Sequence, residues 1–339
     1  MKAVVLDAVN KIALKEVEVD KLAANEVLIK VEAAGVCGSD RHILHGTYPA
    51  NYPVILGHEF SGIIVDSNNS SKFKTGDRVN VNPNICCGLC QPCKRGLINL
   101  CQKNIAHGVN RNGGLAEFVA VPETQLFNLP LTLPAEFGAF CEPIACCIQG
   151  IDLANIKAGD SVAIIGGGVI GQLMVQLVKN AGAKVVLLST RQKFRRDMAE
   201  QMGATHSIDP LSAATNDPFI GPNGVCPGGF DVVFECAGTS QTLSQSLEIV
   251  RLGGTVILFG VMPQSELFEI RPFDIFVRQI RIQGSFTGSA VHQKAVDLVA
   301  ADKLKLAPLV THLVSLAEIP QLLSGSPLTG EVKTMVKPA

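Results

Sequence analysis

The stretch Gly35 to Glu59, GVCGSDRHILHGTYPANYPVILGHE, gathers side chains that could do chemistry. Cys37, His58 and Glu59 offer a thiolate, an imidazole and a carboxylate, donor types that zinc takes in a four-coordinate shell. The mixture suits a divalent ion of borderline softness. Ser39 and His42 add a hydroxyl that could meet a substrate alcohol and an imidazole that could carry its proton onward. Taken alone, these residues fit a half-buried loop of satisfied polar groups equally well. Other stretches decide between the two.

One is Cys87-Gly-Leu-Cys90-Gln-Pro-Cys93, followed by Cys101. Three cysteines at spacing three with a fourth eight residues on can wrap a tetrahedral ion, and a closed thiolate shell is structural. Of eleven cysteines, five fall between Cys86 and Cys101. No secretory core opens the chain, where Asp7 interrupts the only apolar run, so ligation is expected rather than disulfides. Cys86 is the spare, and a one-residue shift in ligand choice stays open. Further on, Glu142 stands just before Pro143 among apolar residues, which suits a metal partner better than solvated surface.

The next signal is SVAIIGGGVIG, an apolar strand and then Gly166-x-Gly168-x-x-Gly171 with Val169 and Ile170 opening a helix to about Ala181. Glycines allow the tight turn and the close approach of backbone to a pyrophosphate at the helix N-terminus. A second strand, Lys184 to Leu188, ends in Ser189-Thr190-Arg191, with no acid before Asp197. A carboxylate there would repel a 2′-phosphate, whereas hydroxyls and a guanidinium hold one, so NADP(H) is expected over NAD(H). The basic run Arg195–Arg196 reads as a solvated helix face.

The elements that position these groups change texture along the chain. Short apolar runs, Ala3–Leu6 and Val27–Val31, then GIIV and RVNV within Gly62–Val81 about the turn Lys74-Thr75-Gly76-Asp77, read as strands of a β-rich domain. After Lys157-Ala-Gly-Asp160 the pattern becomes alternating strands and helices, with strands at Asp231–Cys236, Thr255–Val261 and Ile280–Phe286, a doubly wound parallel sheet. A helix-like stretch, Val291–Ala301, and a last strand, Glu331–Val336, lead back toward the first domain. With 339 residues, two domains are expected. The net charge of −1 leaves no global field for nucleic acid. The uncharged stretch from Ser161 to Val178 carries four glycines and suits a buried strand, turn and helix rather than a membrane span. A cytoplasmic protein is expected.

The order GVCGSDRH, GHE, CGLCQPC with Cys101, CEP and GGGVIG resembles the zinc-containing medium-chain alcohol dehydrogenases along essentially the whole chain. It is most similar to their sorbitol, threonine and butanediol dehydrogenase branch. The resemblance implies an α/β protein: a GroES-like β-barrel catalytic domain over 1–149 and 287–339, a Rossmann domain over 150–286, and an active site in the cleft between them. It implies two zinc ions per subunit. Cys37 and His58 match catalytic-zinc ligands, Glu59 and Glu142 match two carboxylates sharing the remaining shell, and Cys87, Cys90, Cys93 and Cys101 match the structural site. Ser39 and His42 match the proton relay, and a homotetramer or homodimer is implied. Where animal sorbitol dehydrogenases carry an Arg and a Tyr at the substrate, this chain has Thr287 and Ile43, which puts sorbitol itself in doubt.

The expected activity is therefore hydride transfer between NADP(H) and a polyol or secondary alcohol or its ketone. An NAD-dependent L-threonine or 2,3-butanediol dehydrogenase is the same-fold alternative. A non-catalytic nucleotide-binding or redox-sensing protein would not need Cys37, His58, Glu59 and the relay. A nucleic-acid module on the cysteine loop would have only Lys94, Arg95 and Lys103 as local positive charge and no stacking aromatics.

Overall fold

The structure is a computed structural model that describes residues 1–212, 216–221 and 223–338. The chain divides into two compact units, one of Met1–Ala145 with Gly288–Ala339 and one of Cys146–Thr287. The first boundary falls within the helix Cys141–Ala154.

The first unit is built on a mostly antiparallel sheet of seven strands. Its central strand, Glu26–Gly35, is flanked by Glu59–Asp66 and Phe118–Pro122 along its length, and by Lys333–Lys337 at its carboxyl end. The strand Val310–Ser315, absent from the sequence reading, runs parallel to Lys333–Lys337. Alternating apolar residues of these strands, Val27, Ile29 and Val31 with Phe60, Ile64, Val79 and Val336, form one buried cluster. Burial of each large side chain is worth about 1.5–3 kcal/mol, so the sheet fixes what stands at its strand ends. Ile43 is sealed into the same cluster, fully buried, which explains an apolar residue at that position.

The second unit is a six-stranded parallel sheet. Numbered by their order within this sheet, its strands run 3-2-1-4-5-6, with Ser161–Ile165 first, Val185–Ser189 second and Phe230–Glu235 fourth. The two largest departures from expectation in this sheet are one early start and one added strand. Val250–Leu258 begins before its glycines, because Gly253 takes φ +69° and the irregularity is absorbed inside the strand. The short His206–Ile208 strand was not anticipated. The stretch Ser161–Val178 folds as strand, turn and buried helix. Among the described residues, the helical stretch Ala135–Ala154 is long and apolar enough to cross a membrane, but most of it is buried within the protein.

Candidate functional site

Cys37 leaves the central strand two residues after Gly35 and stands immediately before the helix Gly38–Leu44. Its N–H donates to Asp40 Oδ2 at 2.9 Å, which fixes the turn into the helix. Asp40 is fully buried, and its other oxygen faces His58 Nδ1 at 3.4 Å. Adjacent residues of a strand point to opposite faces. His58 escapes that rule because it lies in the loop just before the strand Glu59–Asp66, after Gly57 at φ +95°. The ligand atoms of Cys37, His58 and Glu59 consequently lie within 4.8 Å of one another.

Glu142, in the first turn of the helix Cys141–Ala154, is buried but stands outside that group of ligand atoms. Sequence reasoning also missed Lys333, whose side chain is 1% exposed. Its Nζ pairs with Glu59 Oε2 and donates to the Val36 carbonyl at 2.9 Å. Gly35 sits between the two strands concerned, opposite Glu59 on one side and Met335 on the other. A Cβ at Gly35 would overlap Glu59 Oε2 and come within 2.8 Å of Lys333 Cε, so glycine is what lets the ammonium reach across.

Burial works against charge on both His58 and Lys333. For His58, Cys37 and Asp40 outweigh it and raise the pKa well above its ordinary value. For Lys333, Glu59 and Cys37 outweigh it, and the ammonium's pKa rises too. A pocket that stabilises cations on a histidine and a lysine is an anionic pocket, and its donor set fits a divalent ion of zinc's kind.

Ser39 and His42 are three residues apart on the helix Gly38–Leu44 and so share a face, both half-buried. Thr47, another residue not foreseen, fixes the histidine. Its hydroxyl donates to the His42 carbonyl at 3.1 Å and lies 3.0 Å from His42 Nδ1. With the hydroxyl's one proton given to that carbonyl, Nδ1–H donates to the hydroxyl and Nε2 is the acceptor; with it given to Nδ1, the roles of the two ring nitrogens reverse.

In the cysteine loop, Cys87, Cys90, Cys93 and Cys101 bring their sulfurs within 4.8 Å of one another. The Cys87 N–H faces Cys101 Sγ at 3.3 Å and the Cys90 N–H faces Cys87 Sγ at 3.4 Å. Cys86 turns elsewhere, its thiol 3.1 Å from the Ile98 carbonyl, so the choice between Cys86 and Cys87 falls on Cys87. Backbone N–H groups pull the Cys87 thiol down to about 6, while desolvation and the neighbouring thiols push Cys93 up to about 12. Four thiols so close cannot all ionise without a cation among them, which fits a tetrahedral thiolate site.

In the second unit, the turn Gly166–Gly171 follows the first strand, and Gly168 stands at the start of the helix Val169–Asn180. Gly166 takes φ +119°, and a Cβ at Gly171 would overlap the Gly166 carbonyl. Space beside Gly168 is open, and Val169 and Ile170 are half-exposed in the helix's first turn. Ser189 ends the second strand buried, its Oγ without a hydrogen-bond partner, and Thr190 packs against Gly167. Arg191 is exposed. Arg196, expected on a solvated face, instead donates to the carbonyls of Thr190 and Arg191 at 2.7 and 2.8 Å and pairs with Asp209 at 3.1 Å. That clamp holds the turn carrying Arg191 and occupies Asp209's carboxylate. The glycines of the turn and the open space beside Gly168 at the helix start fit the pyrophosphate of a dinucleotide.

Comparison with known proteins agrees with this geometry. Residues 23–131 match the family model for the alcohol dehydrogenase GroES-like domain, and residues 169–301 the model for zinc-binding dehydrogenases. The chain is 32% identical to D-arabinitol dehydrogenase 1 of Uromyces fabae, covering 100% of this chain and 97% of that one. It is 31% identical to D-altritol 5-dehydrogenase of Agrobacterium fabrum, covering 90% of each. Among solved structures, a zinc-binding dehydrogenase of Sinorhizobium meliloti bound to NADP is 48% identical with a TM-score of 0.97, covering 99% of both chains. Two family models that between them span most of the chain, and relatives matched along its whole length, carry one conclusion: the chain belongs to the zinc-containing medium-chain alcohol dehydrogenases, enzymes of alcohol and polyol oxidoreduction.

Proposed function

We propose that the enzyme interconverts a secondary hydroxyl of a polyol and the corresponding ketone, using NADP(H). The observation that carries this reading is the meeting of Cys37, His58 and Glu59 within 4.8 Å, in the same unit as a histidine whose Nδ1 lies 3.0 Å from the Thr47 hydroxyl. Cys37, His58 and Glu59 would hold the catalytic zinc with Glu142 as the further carboxylate, and Cys87, Cys90, Cys93 and Cys101 would hold a second, structural zinc. Bound zinc supplies Lewis acidity at the substrate oxygen, as it lowers the pKa of water from about 16 to about 7. NADP+ supplies the hydride acceptor.

The chain's own residues manage the proton. Ser39 takes the proton of the substrate hydroxyl while giving its own to His42 Nε2, in the tautomer whose Nδ1–H donates to Thr47. His42, half-exposed, passes the proton to water. The carbon loses a hydride and the oxygen a proton, so the product is a carbonyl. In reverse the same groups return the proton.

Preference for NADP(H) rests on Ser189, Thr190 and Arg191. Arg191→Ala should raise KM for NADP+ about tenfold or more and leave that for NAD+ unchanged, since a hydrogen bond to a charged group is worth about 1.5–3 kcal/mol. The substrate class rests on the polyol dehydrogenases named above. A butanediol dehydrogenase of Bacillus subtilis, 28% identical in its solved structure with a TM-score of 0.87, keeps a vicinal diol as the second reading. A panel of polyols, diols and secondary alcohols with each cofactor, read by nicotinamide absorbance, decides both points. Comparable turnover with NAD+ would remove the role given to Arg191.

The enzyme is read as a cytoplasmic homo-oligomer. The exposed side chains Leu267, Phe273 and Phe276 and the open edge of the strand Arg281–Gly284, all in the second unit, support self-association, which sedimentation tests.

A further inference from the structure

The side chain of Glu235 is fully buried at the carboxyl end of the strand Phe230–Glu235. Burying a carboxyl group costs free energy unless donors meet its oxygens. Here the donors converge on one of the two. Oε1 accepts from the N–H groups of Ala237 and Gly238, both at 2.9 Å, and from the Thr242 hydroxyl at 2.8 Å. The Glu235 carbonyl accepts from the N–H groups of Phe259 and Gly260, at 2.9 and 2.8 Å. One residue therefore gathers the turns that leave the fourth and fifth strands of the parallel sheet, together with the first turn of the helix Ser240–Ile249.

Those turns meet without room to spare. A Cβ at Gly260 would lie 2.2 Å from the Gly238 nitrogen and 2.8 Å from Glu235 Oε2, an oxygen that is buried without a hydrogen-bond partner. On the other side, a Cβ at Gly166 would come within 3.0 Å of the Cys236 carbonyl carbon and 3.1 Å of the Ala237 nitrogen. The glycine turn of the first strand thus rests on the peptide that Glu235 holds. In a parallel sheet of order 3-2-1-4-5-6, a dinucleotide lies across the carboxyl ends of the strands, with one mononucleotide on each half. The end of the second strand takes the adenosine ribose, which leaves the turns after the fourth and fifth strands to the nicotinamide half.

Resting on the reading of Gly166–Gly171 as the pyrophosphate turn, we propose that Glu235 is a positioning residue for the nicotinamide half of the cofactor. It acts without touching the cofactor. By holding the turns Cys236–Thr239 and Phe259–Val261 at a fixed height against the glycine turn, it shapes the surface on which the reacting ring lies. Without an acceptor at Oε1, three donors lose their common partner and the two turns separate. The nicotinamide end is then held loosely, while the adenosine end, on the far side of the glycine turn, keeps its contacts. Hydride transfer is sensitive to such placement, because reacting atoms must be brought to within about 3–3.5 Å.

The test compares wild type with Glu235→Leu, Glu235→Gln and Gly260→Ala, each full length and zinc-loaded. Dissociation constants are measured by calorimetry for NADPH and for adenosine 2′,5′-bisphosphate, which carries the adenosine end and lacks the nicotinamide. NADH and AMP are measured in parallel. Glu235→Leu is expected to weaken the dinucleotide about tenfold or more, the scale of a lost hydrogen bond to a charged group, and to leave the adenosine fragment within about twofold of wild type. The fluorescence of the bound reduced nicotinamide should shift toward that of free cofactor. Glu235→Gln, whose amide oxygen can accept from the same three donors, should recover most of the loss. Gly260→Ala keeps the carboxyl group but forces the two turns apart, so it should reproduce the pattern of Glu235→Leu and gives the answer if that variant does not fold. Equal weakening of dinucleotide and fragment would overturn the proposal and leave Glu235 a support of the sheet as a whole. So would wild-type dinucleotide affinity in Glu235→Leu or Gly260→Ala, or a Glu235→Gln protein no better than Glu235→Leu. If wild type bound neither NADPH nor NADH, the cofactor site itself would be misplaced, a failure distinct from that of Glu235.

Discussion

Among the described residues, the first unit contains two clusters of side chains that could hold a metal ion, built on opposite plans. In the cysteine loop all four donors come from Cys87 to Cys101, a short segment with little secondary structure beyond the helix Gln91–Lys94 and a single turn at Ile98–Leu100. The donors are identical, and four thiolates close the shell. At Cys37, His58 and Glu59 the donors differ in kind, come from two strand ends, and are braced by Asp40 and Lys333. Three protein donors leave room for a substrate. With a structural zinc as proposed, the loop would depend on its ion to be folded, whereas the other cluster stands at the ends of strands held by a hydrophobic sheet.

That contrast can be broken by substitution. Cys37→Ser removes a donor from a site the sheet already holds. Turnover should fall by about 10³-fold or more, since Lewis acidity is worth several kcal/mol, while NADP+ binding and Tm change little. Cys93→Ser removes a donor where the ion supplies the fold. Structural zinc contributes about 10 kcal/mol or more of apparent binding energy, so solubility and thermal stability should drop steeply. Any correctly folded remainder should retain its turnover per zinc-loaded site. If the two variants exchanged phenotypes, the assignment of roles would be reversed.

Smaller effects sharpen the comparison. His42→Gln should slow turnover about 10²-fold, the lower end of general acid–base contributions, with zinc content unaltered. Thr47→Val removes the partner of His42 Nδ1 and should cost about three- to tenfold in kcat with KM unchanged, the scale of one lost neutral hydrogen bond. Cys86→Ser should be nearly neutral, because that thiol contacts the Ile98 carbonyl and not the sulfur cluster; metal content measured by atomic emission should equal that of wild type.

What the sequence revealed depended on how narrow each chemistry is. Cysteines at spacing three, a histidine beside a glutamate and a glycine turn between strand and helix have few other uses, so the donor sets and the cofactor turn were legible as candidates. Lys333 was not, because it meets Glu59 from 274 positions away, and a lone lysine in KTMVK carries no local mark of its partner. Its signal was faint: a charge in a strand buried on both faces. Arg196 misled for a related reason, since helix periodicity cannot show that a guanidinium folds back onto the preceding turn. Thr47 becomes visible only once the chain turns after Leu44 and brings its hydroxyl to His42. Glu142 was legible as a buried acid, but its distance from the other donors is set by tertiary packing. The strand Val310–Ser315 is half-exposed along its length, and its weak apolar alternation hid it.

The most direct measurement is anomalous diffraction at the zinc absorption edge from crystals of protein purified without chelator and shown to be fully active. Two peaks per chain are expected, one among Cys87, Cys90, Cys93 and Cys101 and one within coordination distance of Cys37, His58 and Glu59. A fully active sample with no peak at Cys37, His58 and Glu59 would contradict the assignment of the chemistry to that site.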